Sequence, residues 1–231
     1  MQHLGKPELL KLLAAARAEN PRYWAAILIG FCHGLRVSEI VPQRTRLHGS
    51  YENRDKAEAR RKQFRGSFIR ETTRKKRSVR VPVFQVLTPK ATETGGLRPE
   101  SFEDGFIQVK RLKGSMKTRQ PLIADEHEPL LDERSAVAML LEHAEPGKPL
   151  FPISRIRFWK IIQQYGRIAH IPRVLAHPHI LKRSLGMQNI KAVGIENLRV
   201  YMGHKSGAST MEYLKVDDDQ ASRAMADAMT K

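Results

Sequence analysis

A chain of 231 residues is long enough for one large domain with a real hydrophobic core, or for a domain that carries an insertion. Its single cysteine, Cys32, rules out an internal disulfide. The longest apolar run, Trp24 to Cys32, is too short to cross a bilayer, and no charged-then-apolar leader is present, so an intracellular, reducing setting is expected. A formal charge of +17 and a pI near 10.3 make nucleic acid the leading partner, since basic surfaces draw polyanions through counterion release; lysine-based solubility and acidic membranes are the alternatives.

Pro7 to Ala18 places Leu9, Leu10, Leu12, Leu13 and Ala16 at near-helical spacing, and Tyr23 to His33 predicts a buried helix ended by Gly34. From Arg44 to Lys90 the composition changes, with 15 Lys or Arg against 4 acids, a net +11. Within it Asn53 to Lys62 could form a polar helix and Ser78 to Leu87 alternates like a strand. Neither has the apolar surface for a core of its own, so an insertion or basic arm is expected.

Phe106 to Val109 and Gln120 to Ile123 are β-like runs around LKGSMKTR, which predicts a hairpin with lysines at its tip. Asp132 to His143 and Ser154 to Ala169 follow as helices. The second has a serine N-cap, with Phe158, Ile161, Ile162, Tyr165 and Ile168 on its core face. Pro178 suits the first turn of a helix over His179 to Ala192, and two shorter helical pieces are broken at Gly203 and Gly207. The expected fold class is mainly α with a small antiparallel sheet of two or three strands.

The stretch HPHILKRSLG, His177 to Gly186, places two imidazoles and two cations within seven residues. On a helix His179 lies i, i+3 from Lys182 and i, i+4 from Arg183, so an anion could meet them together. Arg183 is rotated about 100° from Lys182. A solvated basic helix face is the other account of the same residues.

Further on the chain reads YMGHKSGASTMEYLKV, with Gly203 and His204 at a helix end and Tyr213 nine positions later. This resembles the C-terminal signature of the tyrosine recombinases, or phage-type integrases. GLRVSEI resembles the family's first box, giving Arg36 as a catalytic arginine and Glu39 as its acidic support. LKGSMKTRQPL is similar to its β-hairpin, giving Lys113 as general acid, and HPHILK resembles the second box, giving His179 and Lys182. The likeness covers about Leu4 to Asp218 outside the basic segment.

The resemblance implies a tyrosine recombinase catalytic-domain fold over 1–231, interrupted by a basic insertion at about 42–97, without the core-binding domain that usually precedes it. Arg36, Lys182 and His204 would hold the scissile phosphate, Tyr213 would attack it, His179 would take the tyrosine's proton and Lys113 would protonate the leaving oxygen. Lys117, Arg119, Arg183 and Lys205 would contact DNA. No metal and no cofactor is implied. The expected partners are double-stranded DNA and further copies of the chain in a tetramer. Asp217 to Met229, with Ala221, Met225, Ala226 and Met229 on one side, would dock on a neighbouring protomer, and no membrane association is expected.

Two departures stand out. The second box carries Lys182 where the family has arginine, which keeps the charge but loses the planar fork. The insertion interrupts the catalytic domain. The function implied is site-specific recombination through a 3′-phosphotyrosyl intermediate, in integration or excision of a mobile element. A type IB topoisomerase-like relaxer and a catalytically impaired DNA-binding relic or regulator are the alternatives.

Overall fold

Asn20 sets the first corner of the fold. Its extended backbone stops α1 (Lys6–Glu19), and its side-chain oxygen accepts from Arg22 N at 3.0 Å to start α2 (Pro21–Cys32). The computed structural model describes residues 3–45, 69–74, 77–82, 92–109, 111, 116–211, 213, 226 and 229. The chain divides into two units, Met1–Gln43 with Gly95–Lys231, and Arg44–Thr94.

In the first unit α2 is the central element. Ala25, Ala26, Ile27, Leu28 and Ile29 are all fully buried, and each isoleucine or leucine so placed contributes about 2 kcal/mol of transfer free energy. A four-residue helix, α3 (Val37–Ile40), precedes strand β1 (Gln43–Thr45). After the second unit the chain resumes beside the point it left: Leu97 N donates to Ile40 O at 3.1 Å. A Cβ on Gly96, whose φ is +78°, would lie 2.9 Å from Pro42 N, so only glycine fits there.

The second unit contains β2 (Ile69–Arg74) and β3 (Arg77–Pro82), antiparallel from Ile69↔Pro82 to Arg74↔Arg77; β4 (Thr92–Thr94) pairs with β1. Of the strand expected over Ser78 to Leu87, the part up to Pro82 is seen. The remainder and the polar helix expected over Asn53 to Lys62 lie outside the described residues.

Back in the first unit, β5 (Phe102–Glu103), β6 (Phe106–Val109) and β7 (Thr118–Pro121) form a three-stranded antiparallel sheet. Asp104 and Gly105, with φ of 51° and 76°, make the two-residue turn between β5 and β6. The last strand starts two residues before the predicted Gln120 and ends at Pro121. Pro121 has no N–H for the ladder, Leu122 N turns to Gly105 O at 2.8 Å, and Ile123 N goes to Glu133 Oε2 at 3.0 Å.

Helices α4 (Glu133–Glu142), α5 (Arg155–Ile168), α6 (Pro178–Val193), α7 (Ile195–Tyr201) and α8 (Ala208–Met211) complete this unit. Ser154 caps α5 by accepting from Arg157 N at 3.1 Å. Its buried stripe runs through Phe158, Ile161, Ile162 and Tyr165 and then passes to Ala169, one turn on. Ile168, expected in the core, is therefore left at the rim, 53% exposed. α2 packs against α1, α4 and α6. The architecture is mainly α with a small antiparallel sheet. Of Asp217 to Met229, Ala226 and Met229 are described, helical and exposed.

Candidate active site

The site begins where α2 ends. Gly34 has φ +56°, and a Cβ there would lie 3.1 Å from Leu185 Cδ2 and 3.4 Å from Met202 Cε, so this turn is pressed between α6 and the end of α7. Two residues on, Arg36 precedes α3. Glu39 accepts from Arg36 N at 2.8 Å with Oε2 and pairs with its Nη1 at 3.0 Å through Oε1. The carboxylate is buried, whereas the Arg36 side chain is 22% exposed, which leaves the guanidinium held yet reachable.

Lys182 enters from the middle of α6, 9% exposed, with its ammonium 3.5 Å from Met202 O. Burial first, then the neighbouring Arg111 and Arg36 cations, push its pKa down to about 7, against a smaller pull upward from Glu39. Arg183, the next residue, is half-buried and acts instead on His177.

His204 follows the α7 turn and is also buried. Its Nδ1 lies 2.9 Å from Thr210 Oγ1, which fixes the ring and leaves Nε2 for an incoming oxygen. Burial, then Lys182, Arg36 and Arg111, lower its pKa to about 4, so the imidazole is neutral at physiological pH. The Thr210 hydroxyl can donate or accept here; in the tautomer where it donates to Nδ1, the ring proton sits on Nε2.

Tyr213 is partly buried against the core, with its ring on α6 over Gly186. Lys182 and Gly186 are i, i+4 and share one face of the helix, separated by about 6 Å of rise. The Tyr213 ring thus sits one turn along from the buried lysine. His179 is exposed on the preceding turn, its ring centroid 6.5 Å from that of His177. The His177 pKa is lowered by burial, then by His179 and Arg183.

Arg36, Glu39, Lys182 and His204 converge. Lys113, the expected general acid, lies outside the described residues. Lys117, Arg119 and Lys205 are exposed, Arg119 with its guanidinium 3.5 Å from the centre of the Phe106 ring. Among the described residues no group of His, Cys, Asp and Glu could hold a metal ion, and no helix is long and apolar enough to cross a membrane.

Three groups escaped the sequence reasoning. Arg111 is buried beside Glu39, and Thr210 orients His204. His33, 0% exposed, has Nδ1 2.7 Å from Gln120 Oε1 and Nε2 2.6 Å from Glu133 Oε1. Both ring nitrogens are thus held by side chains from other elements, Gln120 on one edge and Glu133 on the other. No local spacing links these partners; the only signal for Arg111 was a cation at the foot of the hairpin.

The fold is that of the tyrosine recombinase catalytic domain, as comparison with solved structures shows. XerA recombinase superposes with a TM-score of 0.59 over 99% of this chain and 65% of its own, at 16% identity. A lambda integrase dimer bound to a COC′ core site gives 0.55, over 92% of this chain and 47% of that one, at 14% identity. XerH site-specific recombinase bound to difH substrate gives 0.54, over 97% and 54%, at 17% identity. This chain spans less than two-thirds of the length of each of these proteins. No protein-family model and no curated protein sequence matches it.

Proposed function

We propose that the chain is a site-specific DNA recombinase that works through a covalent 3′-phosphotyrosyl intermediate. The observation that carries this is the meeting of Arg36, Lys182 and His204 one helical turn from the Gly186 platform under Tyr213. A phosphodiester resists attack because it is an anion, and its pentavalent transition state is more negative still. Two cations and a neutral N–H donor fixed around one point favour that state over the ground state.

In this scheme the Tyr213 oxygen forms a bond to phosphorus, its proton passes to His179, and the bond to the 5′-oxygen breaks. Lys113 gives that oxygen its proton. The phosphotyrosyl ester conserves the bond for rejoining to another strand, so exchange needs no external energy source. The basic Arg44–Lys90 segment would add grip on the duplex, and the tail from Asp217 would link protomers into a tetramer. Integration or excision of a mobile element is the setting proposed.

The weaker clamp at Lys182 favours one competing account, a DNA-binding relic that no longer cleaves. A nicked suicide duplex built from the DNA flanking the gene separates the two. The wild-type chain should form a covalent adduct that survives denaturation, and Tyr213→Phe should form none while its DNA affinity stays near wild type. Tight binding without adduct in the wild type would establish the relic.

A further inference from the structure

Arg111 stands two residues beyond β6 with its side chain 0% exposed and every edge of its guanidinium engaged. Nη2 donates to His33 O at 2.9 Å and Tyr201 O at 3.1 Å, Nη1 to Gly34 O at 3.2 Å and Glu39 Oε2 at 3.4 Å, and Nε to Thr118 Oγ1 at 3.2 Å. These partners belong to four parts of the fold: the end of α2, α3, strand β7 and the end of α7. Gly203 accommodates the side chain, since a Cβ there would lie 3.0 Å from Arg111 Cγ and 2.9 Å from Met116 O.

With all its donors committed, Arg111 has none left for a substrate oxygen. Its charge is nevertheless within reach of both Lys182 and His204. A cation buried this deeply carries a large desolvation cost, and one carboxylate shared with Arg36 offsets it only in part. Joining the hairpin to the turn before α3 and to the helix that delivers His204 is what such an arrangement accomplishes.

We infer that Arg111 is a positioning residue of the anion site: its guanidinium holds the hairpin, the turn that carries Arg36 and the end of α7 in one frame, and sets the charge that Lys182 faces. The ammonium of Lys182 meets Arg111 after β6, Arg36 and Glu39 around α3, and His204 with the Met202 carbonyl after α7. Burial, together with two cations against one carboxylate, disfavours its charge, so before DNA arrives it readily gives up its proton. An entering phosphate reverses the field and returns the proton, so above pH 7 the full cation forms only with substrate in place. This rests on the proposed function for its consequence in catalysis, though not for the charge arrangement itself.

The test separates the two. In the DNA-free full-length chain labelled with 13Cε-lysine, the Lys182 signal, assigned by its loss in Lys182→Arg, should titrate near pH 7. Arg111→Met removes a like charge and should move the midpoint up; Glu39→Gln removes the opposite charge and should move it down. Arg111→Lys keeps the charge but not the fork, so it should leave the midpoint near wild type while slowing adduct formation at least about tenfold. An unmoved midpoint in Arg111→Met, or shifts of one sign in Arg111→Met and Glu39→Gln, overturns the electrostatic role. Adduct formation by Arg111→Lys within about threefold of wild type overturns the positioning role. Should Arg111→Met not fold, Glu39→Gln and Arg111→Lys decide. If the wild type forms no adduct on any substrate, the recombinase proposal falls and the midpoints alone judge Arg111.

Discussion

The ring of Tyr213 faces the bare Cα of Gly186: a Cβ at that glycine would lie 3.1 Å from Cδ1, Cδ2 and Cε1 of the tyrosine. Glycine within a helix costs about 1 kcal/mol relative to alanine, so α6 gives up helix propensity where the ring rests. Gly186→Ala should therefore change Tm by only a few degrees, the propensity gain offsetting the crowding. Adduct formation should fall roughly 10–100-fold, because a displaced nucleophile loses near-attack geometry. Melting curves and the suicide duplex check the pair, and an unaltered cleavage rate would remove the glycine from the site.

Lys182→Ala should slow cleavage about 10²–10³-fold, the loss typical of removing one preorganised donor to a developing oxyanion. Arg183→Ala should change it much less, since that side chain turns away from the cluster. Because Lys182 works as a cation with a free-protein pKa of about 7, kcat/KM should be sustained below pH 7 and decline as pH rises through it. Lys182→Arg, never deprotonated, should lose that alkaline limb and equal or exceed wild type above pH 8.

The same lysine bears on stability, with the sign fixed by linkage. Its folded pKa of about 7 lies below the ordinary 10.5, so between these values the unfolded chain holds more protons and stability rises with pH. Below pH 7 the full cost of a buried ammonium is present. Lys182→Met should remove it, stabilising the protein at pH 6 by on the order of 1–4 kcal/mol, as for other buried charges replaced by apolar side chains. Urea unfolding at pH 6 and pH 9 reads the difference, which should shrink at the higher pH.

Glu133 binds His33 with one oxygen and the Ile123 amide with the other, both at full burial of the acid. Glu133→Gln has one carbonyl oxygen where the acid has two acceptors, so one of these buried contacts loses its partner. A loss of about 1–3 kcal/mol is expected, read as a fall in Tm. Retention of the wild-type Tm would show that these contacts contribute nothing net to stability.

Excising Arg44 to Thr94 with a short linker should leave the first unit folded, because Leu97 N already meets Ile40 O across the gap. If the basic segment grips DNA, the slope of log K against log salt should become shallower by about 0.9 for each phosphate that the shortened chain no longer neutralises. An unchanged slope would assign that segment no part in DNA binding.

The local features of this chain were legible in its sequence, because they depend on neighbours a few residues apart. Apolar spacing marked α1, α2 and the core face of α5, Ser154 and Pro178 marked helix starts, and Gly34 marked a helix end. The i, i+3 relation was enough to place His179 and Lys182 on neighbouring turns of one helix. Ile168 shows the limit: periodicity assigns a residue to a face but not to the point along the helix where packing stops. What decided the character of the site was distant in sequence. Arg111 meets Glu39 across 72 residues, and His33 meets Glu133 across 100. The lowered pKa of Lys182 likewise comes from burial and from cations on other elements. Charge and hydrogen-bond partners in a low-dielectric interior are set by which elements pack together. A sequence can supply the ionisable groups; only the tertiary structure sets how far each is from water and from the others, and hence which of them carries a proton.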